Sequence, residues 1–141
     1  MTDIAPLSDD IGFLLTRAGT SLTAAAKTAL APLDLRVRSY SALALACEHS
    51  GGLGQRQLAE ELGLDPSQIV ALVDDLEVRE LITRRVDPTD RRNKRIDATD
   101  AGRELCVDAQ RALASTQTNI LSTLGDQGVR ELRQALRMIV D

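Results

Sequence analysis

The sequence has almost no aromatic side chains: one Tyr, one Phe and no Trp in 141 residues. β-Sandwich cores draw heavily on aromatic and β-branched pairs, whereas Leu and Ala suit packed helices. Hydrophobic residues still make up 43% of the chain, which suffices for the core of one domain. The composition therefore predicts a mostly helical protein.

Cysteine and histidine are also scarce. Cys47 and Cys106 are far apart, and His49 has no Cys or His at metal-ligand spacing. A structural metal site needs about four such ligands, and a disulfide framework needs more cysteines. Neither is expected. Free Cys is most often a small buried apolar residue, although redox sensing by Cys47 or Cys106 stays open as an alternative.

Long apolar runs and a basic leader are missing as well. The first ten residues are acidic, and the longest nearly apolar run, residues 42–47, is far below the roughly 20 residues that span a bilayer. The sequence contains no Ser/His/Asp set, phosphate-binding loop, paired acid motif or metal constellation. We therefore expect a cytoplasmic protein that has no membrane partner, no cofactor and no enzymatic activity.

Positive charge, in contrast, is concentrated in one segment. Residues 79–95 hold seven basic and three acidic side chains, a local charge of +4 in a chain whose net charge is −4. A basic segment on an acidic body favours contact with a polyanion at one place. The blander alternative is a solvated charged loop.

The chain between residues 36 and 79 predicts three helices. Residues 36–48 form the first, 55–62 the second and 66–79 the third, for which Asp65 is a suitable cap and Pro66 a suitable first residue. The last two helices, joined by a tight Gly turn, are typical of a helix-turn-helix. Its outward residues would contact base edges in the major groove; an ordinary solvated first turn is the alternative. The predicted recognition-helix contacts are Pro66, Ser67, Gln68 and Ala71.

A β-hairpin is predicted directly after these helices. Ile82, Arg84 and Val86 alternate on the outgoing strand, Ile96 and Ala98 alternate on the return, and residues 87–90 have turn chemistry. A basic hairpin in this place is the wing of a winged helix-turn-helix, and its Arg side chains suit the minor groove and phosphates. The predicted wing contacts are Arg84, Arg85, Asp90, Arg91, Arg92 and Lys94.

Long amphipathic helices are predicted at both ends of the chain. One spans residues 8–30 with Ser8 as its cap; another spans 100–124, and the last runs to Val140 after a break bracketed by Gly125 and Gly128. Their apolar stripes need more cover than a monomer of this size offers, so a partner subunit is expected, with packing against the chain's own helices as the alternative. The predicted dimerisation residues are Ile11, Leu14, Leu15, Leu113, Ile120, Leu121, Leu132, Leu136 and Ile139.

Several segments together resemble the MarR-type transcriptional regulators. Residues 90–102, DRRNKRIDATDAG, are similar to the family's wing motif of D-x-R, a strand, and T-x-x-G opening a helix. Residues 57–64 and 72–77 resemble its two DNA-contacting helices, and residues 32–35 resemble its first inter-helix junction. Departures are Asp75, where a basic residue is frequent, and Glu80, where the family often has glycine.

The resemblance implies a homodimer bound to a pseudo-palindromic duplex and released by a small aromatic or anionic effector. It also implies that Asp90 pairs with the Arg92 guanidinium, that Arg91 and Lys94 contact phosphates, that Thr99 caps the next helix and that Gly102 permits close packing. The remaining alternatives are a thiol-oxidation-sensing regulator of the same fold and a dimeric helical interaction module that binds ligand or protein but not DNA.

The predicted fold is therefore mostly α with a small β-hairpin wing. A dimerisation helix and linker occupy residues 1–35, the winged helix-turn-helix lobe occupies residues 36–99, and the dimerisation helices occupy residues 100–141. The predicted function is that of a sequence-specific DNA-binding transcriptional repressor.

Overall fold

The structure is a computed structural model that describes residues 2–141. These residues form six helices and three short strands. The helices are α1 (Ile11–Leu30), α2 (Val37–Glu48), α3 (Gln55–Leu62), α4 (Pro66–Val78), α5 (Asp100–Ile120) and α6 (Gly125–Val140), and the strands are β1 (Leu53–Gly54), β2 (Ile82–Val86) and β3 (Lys94–Ala98). The prediction of a mostly helical winged helix-turn-helix fold is confirmed.

The sheet has the order β1-β3-β2 and is antiparallel throughout. β2 and β3 form the predicted hairpin, in which Arg84 lies opposite Ile96. β1 was not predicted, since two residues beside a glycine run give no alternation. It pairs Leu53 with Ile96 along the edge of β3 that β2 does not occupy, and so attaches the segment after α2 to the wing.

The winged lobe has its own apolar core. Helices α2, α3 and α4, the sheet and α5 contribute to it, and Leu43, Leu53, Leu58, Ile69 and Ile96 are among its fully buried side chains. Each such side chain stabilises the fold by about 1.5–3 kcal/mol. Helix α4 contributes Ile69, Val73 and Leu76 as buried side chains and Leu72 as a partly buried one, whereas Val70 is exposed.

A second, smaller cluster joins the long helices. Leu30, Leu35, Ala109 and Leu113 form its buried centre between the end of α1 and α5. Tyr40 packs partly against both clusters. In the single chain α6 contributes no buried residue to either.

Two predicted helix boundaries were wrong. Helix α1 begins at Ile11 rather than Ser8, because Asp10 is the cap and accepts the Phe13 N–H at 2.7 Å, while Ser8 lies in a preceding 3₁₀ turn. Helix α5 ends at Ile120 and is followed by a 3₁₀ turn at Ser122–Leu124.

The break before α6 is also shorter than predicted. Gly125, with φ of 68°, turns the chain, whereas Gly128 lies inside α6. No helix among residues 2–141 combines the length and apolarity that a membrane crossing requires.

Candidate nucleic-acid interface

Helix α4 presents its first turn to solvent. Pro66, Ser67, Gln68 and Ala71 are all exposed, as predicted for groups that contact base edges. Asp65 precedes Pro66 in extended conformation, and the Gln68 side-chain carbonyl accepts the Asp65 N–H at 3.1 Å. The helix start is therefore locked by its own first turn.

The Gln68 contact limits what this side chain can do. Bidentate recognition of adenine needs both the amide oxygen and the amide nitrogen. The oxygen already accepts the Asp65 N–H, so in this conformation one of its two lone pairs remains for a base. A base that pairs with Gln68 while the capping bond is kept must approach the side chain in the orientation that this bond sets.

The basic side chains of residues 79–95 divide into two groups. Four of them are held by acceptors of the chain itself: Arg79 by Asp34, Arg84 by Asp74 and Glu77, Arg85 by Asp97, and Arg95 by Asp87. Arg91, Arg92 and Lys94 are exposed at the wing tip and form no ion pair with the described residues 2–141. These three cations are the ones free to contact phosphates.

Arg84 was predicted to contact DNA, but its side chain turns back toward α4. Its guanidinium Nη2 lies 2.6 Å from Asp74 Oδ1 and 3.0 Å from Glu77 Oε1, and its Nε lies 3.2 Å from Glu77 Oε2. The guanidinium also lowers the pKa of the Glu77 carboxyl, mainly by hydrogen bonding. Arg84 thus binds the recognition helix.

Arg85 and Arg95 stabilise the two strands of the wing. Arg85 is paired with Asp97 across the strands. Arg95 lies 3.4 Å from Asp87 and donates to the carbonyl oxygen of Gly51 at 2.7 Å. Arg85 remains a predicted DNA contact, although it would have to share its guanidinium with Asp97.

The predicted pairing of Asp90 with the Arg92 guanidinium is wrong. Asp90 Oδ1 instead accepts the backbone N–H of Arg92 at 3.0 Å, because a carboxylate two residues before an amide closes an Asx turn. Asp87 forms a similar turn with Thr89, whose hydroxyl and N–H lower the pKa of the Asp87 carboxyl. These turns shape the wing tip and leave the Arg92 guanidinium free.

The recognition helix and the wing tip border one cleft. Its volume is about 720 Å³, and it is lined by Arg56 of α3, Pro66 of α4 and the inner side of the wing tip at Arg92 and Lys94. Among residues 2–141, four cations line the cleft, and one of them, Arg84, is ion-paired. The only acidic residue in this described part of the lining is Glu60. The lining of the cleft between α4 and the wing tip therefore carries a net positive charge.

Comparisons with known proteins agree with this geometry. A family model described as MarR family matches residues 34–93. A transcriptional regulator (MarR family) from Rhodococcus sp. RHA1 is 48% identical, covers 96% of this chain and 96% of its own, and superposes with a TM-score of 0.92.

The chain belongs to the MarR family.

This MarR-family chain is also similar to two regulators whose structures contain a bound small molecule or a bound DNA duplex. CouR from Rhodococcus jostii RHA1, bound to p-coumaroyl-CoA, is 49% identical over 96% of this chain and 95% of its own, with a TM-score of 0.86. A transcriptional repressor, CouR, bound to a 23-mer DNA duplex is 28% identical over 100% of this chain and 99% of its own, with a TM-score of 0.88.

The predicted dimerisation residues of the MarR-family chain remain mostly uncovered. Ile11 is 71% exposed and Ile139 is 67% exposed, and Leu14, Leu15, Ile120 and Leu136 are exposed as well. Leu121 and Leu132 are half-buried, whereas Leu113 packs into the chain's own second cluster. Exposed apolar side chains in such number on the helices at both chain ends are typical of a protein interface.

The two cysteines, distant in sequence, meet between α2 and α5. Cys106 is buried in the core of the lobe and Cys47 packs partly against the same cluster. Burial, with a smaller effect of Cys47, raises the pKa of the Cys106 thiol to about 11. His49 Nδ1 lies 2.8 Å from the Leu45 carbonyl oxygen, and residues 2–141 contain no metal-binding group of three His, Cys, Asp or Glu side chains.

Sequence reasoning missed one contact between the lobe and the long helices. The Arg79 guanidinium at the end of α4 donates to the Asp34 carbonyl oxygen at 2.9 Å. Asp34 adopts a left-handed backbone with φ of 52° in the junction between α1 and α2. The resemblance of residues 32–35 to a family junction was the only signal, and it did not identify the partner.

Proposed function

We propose that this MarR-family protein is a transcriptional repressor that binds duplex DNA as a homodimer. The observation that carries the proposal is the shared cleft, which sets Pro66 at the exposed start of α4 beside Arg92 and Lys94, two of the free cations of the wing. A helix start suits the major groove and a basic wing suits phosphates and the adjacent minor groove. A related repressor of 28% identity is bound to a duplex.

The exposed apolar stripes of α1, α5 and α6 provide the dimer interface in this proposal. We assign residues 1–35 and 100–141 to dimerisation and residues 36–99 to DNA binding. A two-fold axis would place two copies of α4 about 34 Å apart, one helical turn of DNA, so the operator would be a pseudo-palindrome. Such a protein acts by binding and release, needs no catalytic residue, and is expected in the cytoplasm with the DNA.

We further propose that an aromatic acyl-CoA thioester releases the DNA. The support is the 49% identity, over 96% of this chain, to a CouR bound to p-coumaroyl-CoA. A ligand of this kind has both an aromatic ring and negative charge, as the family resemblance implies. It would act by binding the DNA-free arrangement of the dimer more tightly than the DNA-bound one.

Fluorescence anisotropy with labelled duplexes tests both statements. Wild-type protein is expected to bind DNA from upstream of its own gene more tightly than a shuffled duplex, with an affinity that falls steeply as salt rises. Addition of p-coumaroyl-CoA is expected to release the operator, whereas CoA alone and p-coumarate alone serve as controls.

Two other outcomes would contradict the proposal. Failure to enrich any sequence from a random duplex pool would favour the helical interaction module that binds no DNA. Operator binding that persists with p-coumaroyl-CoA but is lost reversibly with peroxide would favour the thiol-sensing alternative.

A further inference from the structure

Arg84 forms the most elaborate ion-pair cluster of the DNA-binding surface. Its guanidinium binds two carboxylates of the recognition helix, Asp74 at 2.6 Å and Glu77 at 3.0 Å. The backbone N–H of Arg84 donates to the same Glu77 carboxylate at 3.2 Å. Glu77 thus holds both the main chain and the side chain of one wing residue.

The guanidinium of this cluster is better shielded from solvent than the guanidinium groups of the other ion pairs nearby. The Arg84 side chain is 18% exposed, against 63% for Arg85 and 41% for Arg95. A forked guanidinium that binds more than one carboxylate loses less conformational freedom per bond than a single flexible pair. The contact therefore restrains the wing more than a surface salt bridge would.

The cluster lies close to the point where the wing follows α4, so it affects the orientation of the wing. Only residues 79–81 separate α4 from β2, and Ile82 anchors the base of β2 in the core. Arg84 lies two residues further toward the wing tip. Its bonds to Asp74 and Glu77 therefore fix the angle between the hairpin and α4.

The net charge of the cluster argues against a direct contact between Arg84 and DNA. One guanidinium is set against two carboxylates, so the cluster is negative on a surface that binds a polyanion. Phosphates repel such a group, and any gain in DNA affinity must come from geometry. The spacing between α4 in the major groove and the wing tip in the minor groove is the geometry that DNA imposes.

We propose that Arg84, Asp74 and Glu77 form a positioning clamp that sets the wing at the distance from the recognition helix that the operator requires. Arg84 then acts through Arg91, Arg92 and Lys94 and does not itself contact DNA. This inference rests on the proposed DNA-binding function.

The substitution Glu77→Gln gives the sharpest test, because electrostatics and positioning predict opposite signs. Loss of a negative charge would tighten all DNA binding if Glu77 acted only by its charge. Loss of the clamp should weaken binding to a duplex enriched from random sequence by the wild-type protein about fivefold, while binding to unselected duplex should not weaken. Asp75→Asn is the matched control, because it removes the same charge from exposed surface of α4 outside the clamp.

Arg84→Ala separates positioning from phosphate contact. A clamp residue lowers affinity for the enriched duplex and leaves the slope of log affinity against log salt unchanged, whereas a phosphate contact lowers that slope by about 1. A lowered slope, or tighter binding by Glu77→Gln to the enriched duplex, would overturn the clamp.

Amide hydrogen exchange measured without DNA distinguishes a failure of the clamp proposal from a failure of the DNA-binding proposal. Glu77→Gln should speed exchange of the β2 and β3 amides and leave the α2 amides protected, which also shows that the variant folds. Unchanged wing exchange would refute the clamp even if wild-type protein binds DNA. If the wild type binds no duplex, the DNA-binding proposal fails, and the exchange result still decides whether the clamp restrains the wing.

Discussion

Gly102 lies directly against the backbone of Leu81. A β-carbon at position 102 would stand 2.1 Å from the Leu81 carbonyl oxygen, a distance that no side chain tolerates. The same Leu81 carbonyl accepts the Thr99 N–H at 3.0 Å, and the Thr99 hydroxyl accepts the Gly102 N–H at 3.0 Å. The start of α5 is thus packed onto the turn between α4 and the wing.

We predict that Gly102→Ala lowers the free energy of unfolding by about 2 kcal/mol or more, because the backbones must separate. Urea unfolding followed by circular dichroism measures this. Gly54→Ala is the control: a β-carbon at position 54 would meet no neighbouring atom within 4 Å, so only a capping loss below about 1 kcal/mol is expected. Equal effects at the two positions would contradict the close packing.

Glu80 is held in a left-handed backbone conformation with φ of 58°. This conformation is costly for a residue with a β-carbon, and glycine adopts it freely. We predict that Glu80→Gly raises the midpoint of thermal unfolding, equivalent to about 1 kcal/mol. Glu80→Ala keeps the β-carbon and should bring no such gain; a gain as large in Glu80→Ala would assign the effect to charge instead of strain.

The Cys106 thiol is expected to react slowly at neutral pH. Burial raises its pKa to about 11, and only the thiolate is nucleophilic. Alkylation of Cys106 by iodoacetamide, followed by mass spectrometry, should accelerate as pH rises toward 11, while urea-unfolded protein should react at a far higher rate at pH 8. Fast alkylation of folded protein at pH 7, with loss of DNA binding that Cys106→Ser prevents, would support redox sensing instead.

The clamp predicts that the stability contributed by Glu77 is lost at acid pH. Hydrogen bonding from Arg84 lowers the pKa of Glu77 below its ordinary value of 4.5. A carboxyl whose folded-state pKa is lowered contributes stability above its unfolded pKa and loses it as pH falls through the folded value. Wild type and Glu77→Gln should therefore differ in unfolding midpoint at pH 7 and converge as the pH falls below the lowered folded-state pKa of Glu77. A difference that stays constant with pH would exclude the ionised clamp.

If the apolar stripes of α1 and α6 form the dimer interface, a charged residue introduced into either stripe should disrupt the dimer. Ile139→Glu should shift the protein from dimer to monomer in size-exclusion chromatography with light scattering, because a carboxylate would be buried between subunits. Val78→Glu places the same charge on a more exposed apolar residue of the winged lobe and should leave the dimer intact. A monomeric wild type would contradict the proposed interface.

Several features with local signals were predicted correctly. Asp65 and Pro66 mark the start of α4, and the alternation at Ile82, Arg84 and Val86 marks β2, because capping and strand periodicity depend on near neighbours. The wing cations were found as a group by their density of charge.

Features that depend on distant partners were not predicted. Arg84 and Arg92 are both arginines of the same basic segment, and nothing in the sequence separates their roles. The packing of β2 against α4 is what brings Arg84 to two carboxylates, while Arg92 stays exposed. The same holds for β1, whose Leu53 finds its partner Ile96 through the folded sheet, and for Arg79, whose acceptor Asp34 lies 45 residues away.

DNA binding through the wing tip is tested most directly by the salt dependence of duplex affinity for wild type and Arg92→Ala. Arg111→Ala, which removes the same charge from an exposed position on α5, is the control. Arg92→Ala should weaken binding by about 1–3 kcal/mol and lower the slope of log affinity against log salt by about 1. Affinity and slope equal to those of Arg111→Ala would contradict the proposal that the free cations of the wing contact DNA.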